Sequence, residues 1–159
     1  MAEQQQKLAV ILFNLGGPDS LDAVKPFLTN LFEDPAIIAA PFFVRWLLAR
    51  YIAFRRAPVA RRMYEIIGGA SPLLAHTEDQ ARALEVSLAD LGEVRCFIAM
   101  RYWHPLSDAT VDSVKRFAPD RLVLLPLYPQ FSRTTSGSSL ADWRAAAAKG
   151  GLVISSNTI

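Results

Sequence analysis

Three runs of strand length, Leu8 to Leu15, Val94 to Met100 and Leu122 to Tyr128, are almost continuously apolar. A strand with one solvated face alternates apolar and polar residues, whereas one covered on both faces need not, so these runs predict strands of a parallel sheet with helices on either side. A weaker fourth run, Leu152 to Ile154, predicts one strand more. Segments of helical spacing separate the runs, and strands alternating with helices make a doubly wound α/β sheet of about four strands. In such sheets ligands bind beyond the carboxyl ends of the strands, so function is sought in the segments that follow each run.

The first intervening helix is predicted to carry Leu21, Val24, Leu28 and Leu31 after the cap candidates Asp19 and Ser20, with a bend at Pro26. A second is predicted over residues 77 to 91. There Thr77 and Gln80 have the spacing of a capping box, Ala81, Leu84, Leu88 and Leu91 share one face, and Gly92 is a stop. Ser107 is placed to cap a helix carrying Val111, Val114 and Phe117. Ser138 or Ser139 begins another, with Leu140, Trp143 and the alanines 145 to 148.

With 159 residues and 52% apolar side chains, one core is the expectation, burying about 70% of the unfolded surface. A formal charge of +2 is too small to argue for a nucleic-acid partner and leaves anionic small molecules or lipid headgroups open. The single cysteine, Cys96, lies within an apolar run, which fits a buried thiol in a reducing cytoplasm. The start of the chain lacks the features of a secretory signal, and residues 1–7 are expected to be a disordered tail ahead of a domain spanning 8–151.

One segment breaks the alternation. Residues 35–54 are rich in Ile, Phe, Leu, Trp and Tyr but contain Pro41, Arg45 and Arg50, which argues against a membrane span. Two readings stand: a pair of core-covering helices, or an apolar lip around a hydrophobic ligand that also touches a membrane surface. Arg55, Arg56, Arg61 and Arg62 follow it directly. Guanidinium groups beside an apolar shelf suit the carboxylates of an otherwise apolar molecule, although a solvated basic helix face explains them equally.

Asn14-Leu15-Gly16-Gly17-Pro18 stands where a dinucleotide fingerprint would, but lacks its glycine spacing, and Pro18 removes an amide donor. A tight turn with close backbone approach to a ligand explains the glycines better. Ser132 to Ser139 brings six hydroxyl side chains to a predicted helix start, more than capping demands, and so reads as a ligand contact for an anion. Arg101-Tyr102-Trp103-His104-Pro105 puts a cation and aromatic rings at the end of the second strand.

Taken with Ile67-Gly68-Gly69-Ala70-Ser71-Pro72 and Tyr128-Pro129-Gln130-Phe131-Ser132, these segments resemble, in order and spacing over residues 8 to about 148, the ferrochelatases, enzymes of heme biosynthesis that insert ferrous iron into a porphyrin. The resemblance implies a chelatase-like fold of two Rossmann-like domains with porphyrin between them, of which this chain is the N-terminal one, its segment 35–66 forming a hydrophobic lip and basic stretch. It implies that Leu15 faces the macrocycle, that Arg56, Tyr64 and Ser71 contact propionates, that Arg101 and Tyr102 line the metal side of the pocket, and that Ser132 and Thr134 belong to the binding set. It also strengthens the expectation of peripheral membrane contact through 35–54. The family's cluster-binding cysteine falls at Arg133, so no iron-sulfur cluster is expected, and no tightly bound cofactor. Iron and porphyrin enter as substrates.

The family's catalytic histidine and glutamate match nothing in this chain. Its two histidines, His76 and His104, fall elsewhere in the pattern, and no histidine, cysteine and carboxylate spacing suggests a metal site. The expectation is a substrate-gripping half, inactive alone, with residues 152–159 either a last strand or non-native sequence. Exposed apolar surface then favours homodimerisation or poor solubility. A non-catalytic porphyrin-binding domain and a phosphate- or nucleotide-binding α/β module are the alternatives.

Overall fold

A computed structural model describes residues 6–152. Strands β1 (Lys7–Asn14), β2 (Glu93–Met100) and β3 (Arg121–Pro126) form a parallel sheet in the order β2-β1-β3. The three long apolar runs are thus strands, within one or two residues of the predicted limits. β1 begins at Lys7, whose amide donates to Asp120 Oδ2 at 2.8 Å, so the tail expected through residue 7 ends earlier. The fourth predicted strand lies, past Leu152, outside the described residues; the sheet has three strands among those described.

Alternation along β1 fills both faces. Ala9, Ile11 and Phe13 pack with Phe97, Leu122 and Leu124 of the neighbouring strands against Val111, Val114 and Phe117 of α4 (Ser107–Phe117) and Trp143 of α5 (Ser138–Gly150). Leu8, Val10 and Leu12 pack on the other face with Cys96, Ile98, Val123 and Leu125 beneath Ala81 and Leu84 of α3 (Leu73–Ser87) and Leu88 just past its end. Because β1 is the middle strand, it is buried on both sides and tolerates no polar alternation.

A third cluster sits past the strand ends, where α1 (Val24–Glu33) packs on α2 (Phe42–Ile66). Val24, Phe27, Leu28, Leu31 and Phe32 make one face of α1. Ala49, Ala53, Ala57 and Ala60 of α2 lie against it or beside it, and the absence of bulk there lets the two helices approach closely. Residues 42–66 form one continuous helix rather than a pair. Pro41 occupies its cap position, where a missing amide costs nothing, and Arg45 folds back to donate to the Ala40 carbonyl at 2.6 Å. Arg50 pairs with Glu33 and stacks on Trp46, 3.9 Å from its ring centre.

Helix starts depart from expectation in instructive ways. α1 begins at Val24, with Ser20 Oγ accepting the Ala23 amide at 3.2 Å, which leaves Leu21 ahead of the helix and Pro26 in its first turn, where no bend is required. α3 begins four residues before the predicted cap, and Thr77 is wholly buried inside it. Ser107 is the first helical residue of α4 and bonds Asp142 instead of capping, at 2.7 Å. α5 does begin at Ser138, behind a wide turn over Arg133–Gly137.

Two outcomes are expected in solution. Ile11→Ala, at a fully buried centre of the sheet, should cost about 2–5 kcal/mol in chemical denaturation, whereas Val86→Ala on the exposed face of α3 should stay within about 0.5 kcal/mol. Burial, assisted by the Glu85 charge, pushes the half-buried Cys96 thiol up to about 11. Iodoacetamide at pH 8 should therefore alkylate it about a hundredfold more slowly than an unperturbed thiol.

Candidate functional site

The carboxyl ends of β1 and β2 are tied into one surface. Asn14 is the anchor: its Oδ1 accepts the Leu15 amide at 2.9 Å, while its Nδ2 donates at 3.2 Å to Thr77 Oγ1, which in turn donates to the Leu73 carbonyl. The Arg101 amide donates to the Asn14 carbonyl at 2.9 Å and the Tyr102 amide to the Leu15 carbonyl at 3.0 Å, so pairing continues past the strands themselves. Gly16, at φ +84°, turns the chain where a Cβ would stand 3.0 Å from the Trp103 nitrogen. Gly17 is pressed on Ser71, where a Cβ would lie 2.3 Å from Oγ. The Ser71 amide donates to the Pro18 carbonyl at 2.7 Å, and Ser71 Oγ accepts the Leu73 amide at the start of α3. Two glycine-rich segments far apart in sequence thus meet side by side.

Leu15 and Tyr64 both border the apolar cluster of Val24, Phe27, Leu28, Ala53 and Tyr102. Tyr64 is half-buried, and that burial raises its phenol above the ordinary value. Arg56 lies two turns before it on α2, roughly 12 Å along the axis, exposed, with its guanidinium 5.9 Å from the Phe32 ring. Among the described residues Arg55, Arg56 and Arg62 make no ion pair, whereas Arg61 pairs with Asp22 at 3.0 Å.

Arg101 and Tyr102 are held quite differently. Tyr102 is 1% exposed and donates its hydroxyl to Asp34 Oδ2 at 2.8 Å. Arg101 reaches the same oxygen at 2.9 Å, lies 3.4 Å from Asp142, and donates through Nε to Ser138 Oγ at 2.7 Å. Ser138 in turn donates to Asp34, whose Oδ1 accepts the Ala36 amide at 2.7 Å. Burial alone would raise the Asp34 carboxyl, but hydrogen bonds from Ser138, Ala36 and Tyr102 and the Arg101 charge hold it below the usual carboxylate value. Burial and the bond to Asp34 push the Tyr102 phenol upward. Beside this network a cleft of about 450 Å³ is lined by Asn30, Glu33, Arg101, Asp142 and Lys149.

The hydroxyl-rich segment after β3 is largely occupied with itself. Ser132 Oγ accepts the Thr135 amide at 3.1 Å and bonds the hydroxyls of Thr134 and Thr135, and Ser139 bonds the Tyr128 hydroxyl at 2.8 Å. Thr134 and Arg133 stay exposed. His76 sits in the first turn of α3 and His104 in the turn after β2, and no described group of three or more His, Cys, Asp or Glu is arranged to hold a metal ion.

The structure therefore brings together Leu15, Tyr64, Ser71, Arg101 and Tyr102 around the strand ends, keeps Arg56 at the edge on α2, and leaves Ser132 and Thr134 in a separate turn. Asp34 was not among the residues singled out by sequence. Its only signal was an acid set between an apolar helix and Pro35, which by pattern alone reads as a helix end. Trp103 Nε1, buried without a partner, left no sequence signal either.

Comparison with known proteins identifies the family. The ferrochelatase family profile matches residues 7–159. Ferrochelatase of Caulobacter vibrioides is 63% identical over 142 residues, covering 87% of this chain and 41% of the relative. Ferrochelatase of Hyphomonas neptunium is 56% identical over 146 residues, 89% of this chain and 41% of the relative. That of Pelagibacter ubique is 48% identical over 156 residues, 96% of this chain and 45% of the relative, so the chain spans less than half the length of these proteins. By its motifs, its fold and these matches, the chain belongs to the ferrochelatase family.

Proposed function

We propose that this chain supplies the porphyrin-gripping part of an enzyme that inserts ferrous iron into a porphyrin. The supporting observation is the shared apolar cluster of Leu15 and Tyr64, with Arg56 two turns along the same helix. A flat apolar ring needs a floor, and its carboxylate edge needs cations that are not already neutralised. Leu15 is the floor residue in this reading. Arg56 takes a propionate by charge-assisted hydrogen bonds, and the hydroxyls of Tyr64 and Ser71 complete the carboxylate contacts. Arg101 and Tyr102 form the wall behind, and Ser132 and Thr134 border the ligand from the loop after β3.

Metallation requires the ring to be distorted, two N–H protons to leave, and a ferrous ion to arrive on one face. Proton removal calls for a base whose pKa lies near the working pH. Neither His76 on α3 nor His104 is assigned that role, so the residues described here bind and orient porphyrin while proton abstraction belongs to groups this chain does not carry. No resident cofactor enters this scheme, and Arg133 stands where a cluster-binding thiolate is expected in some relatives. A phosphate-binding reading is less well supported, since the hydroxyls it would use are bonded to one another.

The exposed face of α2 carries Phe43, Leu47, Tyr51 and Phe54, with Phe43 at 78% and Leu47 at 61% exposure. No described helix is long and apolar enough to cross a membrane. In this reading the face rests on the cytoplasmic membrane surface, with Arg55 and Arg62 near anionic headgroups.

Fluorescence titration of the polypeptide with a dicarboxylic porphyrin tests the central claim. Arg56→Ala should weaken binding about 10- to 100-fold, the value of one charge-assisted contact, and esterifying both propionates should weaken the wild type similarly. Equal affinity for all three would rule the docking out. Metallation by this polypeptide alone should stay at the uncatalysed rate, checked by following loss of porphyrin absorbance with ferrous iron under anaerobic conditions. Phe43→Glu with Leu47→Glu should abolish sedimentation with anionic vesicles; if the pair instead converts a dimer to a monomer without changing vesicle binding, the face is a self-association surface.

A further inference from the structure

We propose that Asp34 is a positioning residue that keeps the macrocycle floor at Leu15 and the arginine-bearing helix α2 in a fixed relation. The inference rests on the porphyrin-gripping reading above and names the group that holds its two halves together.

One carboxylate, 3% exposed at the end of α1, collects donors from three parts of the chain. Oδ1 takes the Ala36 amide, at the start of the segment leading into α2. Oδ2 takes Tyr102 and Arg101 from the end of β2 and Ser138 from the start of α5. Tyr102 is the transmitting part. Its amide holds the Leu15 carbonyl, its carbonyl accepts from Asn30 of α1 at 3.1 Å, and its ring is packed in the cluster that contains Ala53 of α2. Leu15 is thus bonded to the backbone of a residue whose buried ring shares one apolar cluster with α2, and Asp34 fixes that residue's only rotatable polar group.

Two physical arguments make this more than stabilisation. A buried ion pair is costly to desolvate, and apolar residues of similar volume commonly do as well for stability, so such a group is best explained by the arrangement it enforces. Arg101 also has its charge taken up by Asp34 and Asp142, with Nε given to Ser138. A ligand carboxylate is therefore left to the arginines of α2, whose distance from Leu15 must be right for floor and clamp to engage together. Simultaneous engagement of two contacts is lost when their spacing drifts.

The test is a double-mutant cycle on this polypeptide, read by titration with a dicarboxylic porphyrin and with its dimethyl ester. Asp34→Asn should weaken diacid binding at least fivefold and change ester binding less than twofold. In the Arg56→Ala background Asp34→Asn should add less than a twofold loss, because the clamp it aligns is already gone. Asp79→Asn, at an exposed ion pair with Arg82 on α3, should leave both ligands unchanged. Independent, multiplying losses, or equal losses for diacid and ester, would assign Asp34 a purely structural part and overturn the proposal. If Asp34→Asn does not fold, Tyr102→Phe, which removes only the hydroxyl, takes its place in the cycle. Should the wild type bind neither porphyrin, the gripping reading fails, and hydrogen exchange decides the positioning separately: Tyr102→Phe must speed exchange at residues 36–48 while β1 is unchanged, and unaltered exchange there sinks it.

Discussion

β1 is the strand on which both helical layers close. Ala9, Ile11 and Phe13 meet α4 and α5, while Leu8, Val10 and Leu12 meet α3, so every residue from Leu8 to Phe13 is pinned by packing from one side or the other. With strand order β2-β1-β3, the same strand delivers the Asn14 to Pro18 turn to the middle of the sheet edge, and β2 delivers Arg101 to Pro105 next to it. A central strand buried on both faces has no register freedom, since a one-residue slip would exchange its two sets of side chains. The precision of the Leu15 position is inherited from that constraint.

Around this fixed edge the polar groups divide into those already partnered and those still open to a ligand. Asp34, Arg101, Tyr102 and Ser138 satisfy one another, which is what a charged cluster must do to survive burial. The hydroxyls after β3 do likewise in their own turn. Open capacity remains on α2, where Arg55, Arg56 and Arg62 face water without carboxylate partners among the described residues, and at the Tyr64 and Ser71 hydroxyls near Gly17. A ligand with an apolar body and an anionic edge matches that division better than a phosphate does.

The strands were legible because nothing competes with a continuous apolar run of eight residues, and the turns after Asn14 and Met100 stood out because they follow those runs directly, whereas the Ser71 segment joins two helices and reaches Gly17 only through the fold. Helix starts were not legible. Thr77 and Gln80 have capping-box spacing, but the helix already begins at Leu73, after Pro72, and Thr77 is needed inside to hold Asn14, a tertiary contact with no local signature. Asp34 escaped for the same reason: its partners lie at residues 101, 102 and 138, and nothing near it in sequence betrays them. The segment 35–54 stayed ambiguous because hydropathy counts apolar side chains without saying whether protein or something else covers them.

That ambiguity has a structural origin. A helix usually separates its apolar and polar faces, yet α2 is apolar on both: alanines turn inward to α1, and Phe43, Leu47, Tyr51 and Phe54 turn outward. An apolar face built from large aromatic and aliphatic residues is costly to leave in water, and contiguous patches of this kind mark surfaces that bind something. The inward alanines make the outward residues possible, because a helix seated close to α1 through small side chains stays fixed without spending its large ones on packing. Arg50, bound to Glu33 and stacked on Trp46, locks its rotation. The large residues are thereby held on the outer side of α2, close to the arginines that follow them on the same helix, so one rigid element presents apolar and cationic groups together.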